Sequence, residues 1–144
     1  MNLLGFFHSL INTIFGTMVV LFLMACGQVK STTWQPRTQH TLCWLMKFKS
    51  DGWLLRTNNI CGLCCGNWVI VDIDGGYSEK QLNHIFCHEE GHVVQQYMFG
   101  VFQAITYWIM WLFVRTIKHL DNHDGILWEQ WADEYADRRM STWE

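Results

Sequence analysis

The first formal charge in this chain is Lys30; no Asp, Glu, Lys or Arg precedes it. Within that stretch Leu3 to Cys26 is apolar, broken only by Gly5, His8, Ser9, Asn12, Thr13, Gly16 and Thr17. Such a segment cannot be an exposed loop. Its core, Ile14 to Ala25, has the length of a signal peptide's apolar region, and counted from Leu3 it is long enough to span a bilayer. A buried core helix is the third reading. The domain organisation expected is therefore a signal or membrane anchor over 1–26, a polar linker over 27–40 holding Pro36, and one folded domain over 41–144. Lys30 and Arg37 follow the apolar segment, which for an uncleaved anchor favours a cytoplasmic C-terminal side. The expected localisation is membrane-associated.

The segment ends Leu23-Met24-Ala25-Cys26, which resembles a bacterial lipobox and would make Cys26 a lipidated first residue on the opposite side of the membrane. The 144 residues suffice for one domain. A net charge of −3 with no run of Lys or Arg argues against a nucleic-acid partner. Six cysteines, at 26, 43, 61, 64, 65 and 87, include one CxxC at Cys61–Cys64. A zinc knuckle needs a second pair, and there is none. Buried small residues or one local disulfide are expected, with no catalytic role.

Leu42 to Phe48 reads as a strand, Ser50-Asp51-Gly52 as a turn and Trp53 to Arg56 as the returning strand. Asn58 to Gly66 reads as a Gly/Cys-rich loop. Trp68 to Ile73 is a β-branched run of strand length, ended by Asp74-Gly75-Gly76. A helix should start at Ser78, where Gln81 completes a capping box and Glu79 sits in the first turn. Gly100 is its expected stop. Val101 to Val114 is an almost wholly apolar helix, too short to cross a bilayer unaided, and so a buried or membrane-dipping one. Arg115 to Gly125 is a polar connector, and a last helix runs from about Ile126 to Met140.

His88-Glu89-Glu90-Gly91-His92 lies inside the helix that starts at Ser78. Residues four apart share a helix face, so His88 and His92 can offer two imidazoles to one ion. Glu89 sits at the edge of that face, within reach of a water without being a ligand. One Zn2+ suits two helical nitrogens and one carboxylate, with the fourth position open. It lowers the pKa of water toward neutrality, and Glu89 is the expected general base.

The last helix offers the third ligand. Glu129 and Asp133 share a face, Asp137 continues the stripe, and Trp128, Trp131 and Tyr135 make an apolar neighbour. One carboxylate can bind zinc and a second can hydrogen-bond the far nitrogen of a ligand histidine. Glu134 is an alternative third ligand. His119 and His123 are spaced for a second metal site, but Asn122 and Gly125 nearby read as connector.

HExxH followed by a separate helix bearing ExxxD resembles the gluzincin class of zinc metallopeptidases. Glu129-x-x-Ala132-Asp133 is similar to the ExxAD of HtpX-type and CAAX-prenyl-protease-type membrane peptidases. His-Glu-x-Gly-His with Gln95 just after also resembles small zincin-like proteins with adjacent apolar helices. The resemblance covers roughly residues 68 to 137. It implies zinc on His88, His92 and Glu129, Glu89 as general base, and Asp133 supporting a ligand histidine. It also implies that the strand before the helix, Trp68 to Ile73, lines the substrate cleft.

The expected architecture is α+β and zincin-like: a small antiparallel or mixed sheet, the HExxH helix, an apolar helix and a C-terminal ligand helix. The expected function is a zinc-dependent hydrolase at a membrane, acting on a protein or peptide. Tyr107, Arg115, His119, His123 and Tyr135 are the candidates to stabilise an oxyanion, and no motif selects among them. Two alternatives stand beside this reading: an inactive zincin-like module that binds metal and a partner, and a small integral membrane protein with incidental histidines.

Overall fold

The computed structural model describes residues 3–35, 43–48, 61–72, 75–114, 116 and 126–142. The chain is α+β. Leu3–Ala25 forms α1; Val29–Gln35, Cys43–Phe48, Gly62–Cys65 and Trp68–Val71 form β1 to β4. Glu79–Phe99 forms α2, Val101–Phe113 forms α3 and Leu127–Ser141 forms α4. The strands make one mixed sheet in the order β1-β2-β4-β3. β2 pairs antiparallel with β1 and parallel with β4, and β3 pairs antiparallel with β4.

Two elements differ from the sequence reading. Residues 29–35, expected inside the polar linker, are β1. Val29, Thr32, Thr33 and Trp34 are good strand formers once a partner is supplied. Residues 62–65, expected in a loop, are β3. Cys65 faces Trp68 across a two-residue Gly66-Asn67 connection, with Gly66 at φ 62°. That left-handed residue suits a tight hairpin. The expected return strand 53–56, the connector 115–125 with His119 and His123, and residues 36–40 lie outside the described residues, Thr116 excepted.

The sheet buries both faces by simple alternation. Val69 and Val71 pack with Phe86, Cys87 and Val93 of α2 and Ala136 of α4. Ile70 points the other way, onto Val20 and Leu23 of α1. A continuous apolar run such as Trp68 to Val71 is what a strand covered on both sides requires. α1 is thus part of the fold along one side. A Cβ at Gly16 would overlap the Cys65 carbonyl oxygen, so the helix meets the β3–β4 turn through a bare backbone. Trp68 Nε1 donates to Thr17 Oγ1 at 2.9 Å across the same contact. Among the described residues no helix is long and apolar enough to cross a membrane.

α2 begins as its sequence dictates. Ser78 Oγ accepts from the Gln81 amide while the Gln81 side chain accepts from the Ser78 amide. It ends at Gly100, where φ is 58°. Among the described residues Cys26, Cys61, Cys64, Cys65 and Cys87 form no disulfide, so the expected local bridge is not seen.

Candidate metal centre

α2 and α4 run antiparallel, and three side-chain pairs mark their register. His84 meets Asp137, His88 meets Asp133, and His92 meets Glu129. The spacing of four on each helix repeats because both present one face to the other. The helices approach closely at Gly91 and Ala132. A Cβ at Gly91 would lie 3.1 Å from Ala132 Cα and 3.3 Å from its Cβ, and Ala132 is wholly buried. Two small residues at this crossing let Glu129 reach in between the histidines. Gly91→Val is expected to push the helices apart, costing about 1–3 kcal/mol by overpacking. Chemical denaturation would show it, with a parallel loss of metal affinity.

His88 Nε2 lies 3.0 Å and His92 Nε2 lies 3.4 Å from the same oxygen, Glu129 Oε2. One donor atom from each of the three residues falls within 4.8 Å of the others. Tetrahedral zinc with bonds near 2.0–2.1 Å separates its ligands by roughly 3.3 Å. Both nitrogen–oxygen separations are of that order, and the two nitrogens and one carboxylate together could hold a metal ion. Glu129, 6 % exposed, sits in the first turn of α4, where the helix dipole favours a carboxylate.

The far nitrogens are fixed as well. Asp133, acceptor only when ionised, receives His88 Nδ1–H at 2.7 Å. Gln95 does the same for His92. Its Nε2 donates to the Trp128 carbonyl at 2.8 Å, so its Oε1 must face His92 Nδ1, at 2.9 Å. Gln103 of α3 donates to that oxygen at 3.3 Å. Both imidazoles thereby keep Nε2 for a metal. Asp133→Ala and Gln95→Leu are each expected to weaken zinc binding about 10- to 100-fold, read by competition with a chromophoric chelator.

Burial, the largest influence on His88, favours its neutral ring. The hydrogen bond His88 donates to Glu129, the charges of Glu89 and Glu129, and Asp133 outweigh it and raise His88 to about 9. Burial likewise opposes protonation of His92, and the Glu129 hydrogen bond with the charges of Glu89 and Glu129 raises it. At pH 7 a zinc ion must therefore displace protons. Zinc affinity is expected to rise with pH toward about 9, by about tenfold per unit for the His88 proton and more steeply where His92 is also protonated, in competition titrations from pH 6.5 to 8.5.

Glu89 is buried on α2 beneath β3. A Cβ at Gly62 would lie 2.6 Å from Glu89 Oε1, so a glycine leaves room for the carboxylate there. Its charge acts on His88, His92 and Tyr107. Tyr107 of α3 lies near Glu129; burial first, then Glu129 and Glu89, push its phenol upward. Cys65 is raised to about 11 by burial and by Glu89, so it stays a thiol near neutrality.

All five sequence-selected residues, His88, Glu89, His92, Glu129 and Asp133, thus belong to one constellation. Glu134 does not: it is exposed and lies 3.9 Å from Arg138. Of the oxyanion candidates Tyr107 reaches the cluster, Tyr135 stacks on Trp131, and Arg115, His119 and His123 lie outside the described residues. Sequence reasoning did not give Gln95 or Gln103 a role. Their signal was a polar residue on an otherwise apolar helical run. The chain matches no protein-family model, no curated protein and no solved structure.

Proposed function

We propose that the protein is a zinc-dependent hydrolase acting on a protein or peptide, with a zincin-like arrangement of sheet, HExxH helix and ligand helix. The observation that carries this reading is the convergence of His88 Nε2 and His92 Nε2 on Glu129 Oε2, with the far side of each ring held by an acceptor. An ion in this set would supply Lewis acidity, polarising a carbonyl and acidifying water.

The chain's own groups do the remaining work. Glu89 takes a proton from the attacking water and returns it to the leaving nitrogen. Its carboxylate, buried against Gly62 and not among the three candidate ligands, suits a base that is not itself a ligand. Tyr107 lies near Glu129; with that carboxylate committed to an ion, the phenol is the donor available to a developing oxyanion. Among the described residues β3 ends the sheet, and its Gly62 lies against Glu89. An extended peptide added along β3 would bring its backbone past that carboxylate. The expected cleft strand, Trp68 to Ile73, is instead interior over Trp68–Val71, between β2 and β3.

The test is hydrolysis of a quenched fluorescent peptide library by the zinc-loaded chain. Chelator-sensitive cleavage supports the reading. Stoichiometric zinc without cleavage across the library would leave a metal-binding module in its place.

A further inference from the structure

α1 and α3 touch each other, and together they carry the largest apolar exposure of the described chain. On α1 the exposed residues include Ile11, Phe15, Met18 and Phe22; on α3 they include Phe102, Ile105, Trp108, Ile109 and Leu112. Ile11, Phe15 and Met18 are each more than 60 % exposed, as are Phe102, Trp108 and Ile109. A scattered apolar residue on a surface needs no explanation; a contiguous field of this extent does.

Its shape selects the occupant. At 100° per residue, the exposed apolar positions of α1 from Leu10 to Met24 cover about half the helix circumference, wider than the stripe of about 100° by which one helix packs on another. A protein interface also carries a polar, charged rim. Here no charged residue occurs from Met1 to Val29 or from Gly91 to Val114. The first charges that follow each helix are both cations, Lys30 and Arg115. Apolar breadth without internal charge, ended by cations, fits acyl chains below anionic headgroup phosphates. One side of α1 is occupied by the sheet, through Val20 and Leu23, so the helix meets lipid on one side only.

We propose that α1 and α3 form one lipid-contacting face that beds the protein into one leaflet of a phospholipid bilayer. The metal centre then lies within about one helix diameter, about 10 Å, of the acyl chains. α3 makes both contacts: Gln103 bonds to Gln95 and Tyr107 lies near Glu129, while Phe102, Ile105 and Ile109 are exposed. This claim is independent of hydrolysis and of zinc.

The experiment mixes the full chain, freed of detergent, with phosphatidylcholine vesicles at high salt and follows flotation on a density gradient. Vesicles of brominated phosphatidylcholine report Trp108 depth by fluorescence quenching. The chain is expected to float and its tryptophans to be quenched, with the quenched component reduced in Trp108→Phe. A triple variant, Ile105→Glu, Ile109→Glu and Leu112→Glu, is expected to lower the floating fraction about tenfold or more. Its zinc content, measured in parallel, should stay unchanged and so report an intact centre. A chain that stays at the bottom as a closed oligomer would overturn the proposal. Flotation with no Trp108 component, or flotation unaffected by the triple variant, would also overturn it, because α1 alone would then hold the membrane. Glu129→Ala should float like the parent, so loss of the metal reading and loss of the lipid reading give different patterns.

Discussion

Glu129→Ala should lose zinc almost completely while leaving the protein folded. Among the described residues the Glu129 carboxylate is the acid grouped with both imidazoles, its Oε2 at 3.0 and 3.4 Å from their Nε2 atoms. Removing an acceptor that only orients a ligand weakens metal binding about 10- to 100-fold; removing a ligand should exceed the upper end of that range. The variant also leaves two imidazoles without their shared counter-charge, which lowers the affinity of both for protons. Metal content after dialysis, with circular dichroism for the fold, checks the expectation. His88→Ala should match it. If Glu129→Ala retained stoichiometric zinc, α4 would not supply the ligand.

The second large effect belongs to Glu89→Gln. The side chain keeps its size, so packing under Gly62 is preserved, and the three ligand atoms are untouched. What disappears is the capacity to take a proton. General-base catalysis contributes on the order of 10²–10⁴ in rate, so peptide hydrolysis should fall by about that factor with zinc retained. Unchanged hydrolysis would remove Glu89 from the base role. Loss of zinc together with activity would make it a ligand instead.

The residues of the candidate centre were legible in the sequence because their signals are local. The capping box at Ser78, the spacing of four between His88 and His92, and the same spacing between Glu129 and Asp133 each follow from helix periodicity. That Gly91 and Ala132 cross was not legible, since it depends on how two separate helices approach. The sheet was legible only in part. β4 announces itself by its β-branched run, but β1 is polar in composition and becomes a strand because β2 pairs with it. β3 was hidden by glycine and cysteine, although Gly66-Asn67 is a hairpin signal in its own right. Gln95 and Tyr107 gain meaning only from what lies across from them: the Trp128 carbonyl and the Glu129 carboxylate.

The central claim is that two helices place two imidazoles and one carboxylate around a single zinc. X-ray absorption at the zinc edge of the loaded chain tests it most directly. Scattering from nitrogen and oxygen neighbours alone at about 2.0–2.1 Å, with an imidazole signature from two rings, is the expected result. A sulfur shell near 2.3 Å would instead place the ion on the Cys61–Cys65 thiols and contradict the assignment.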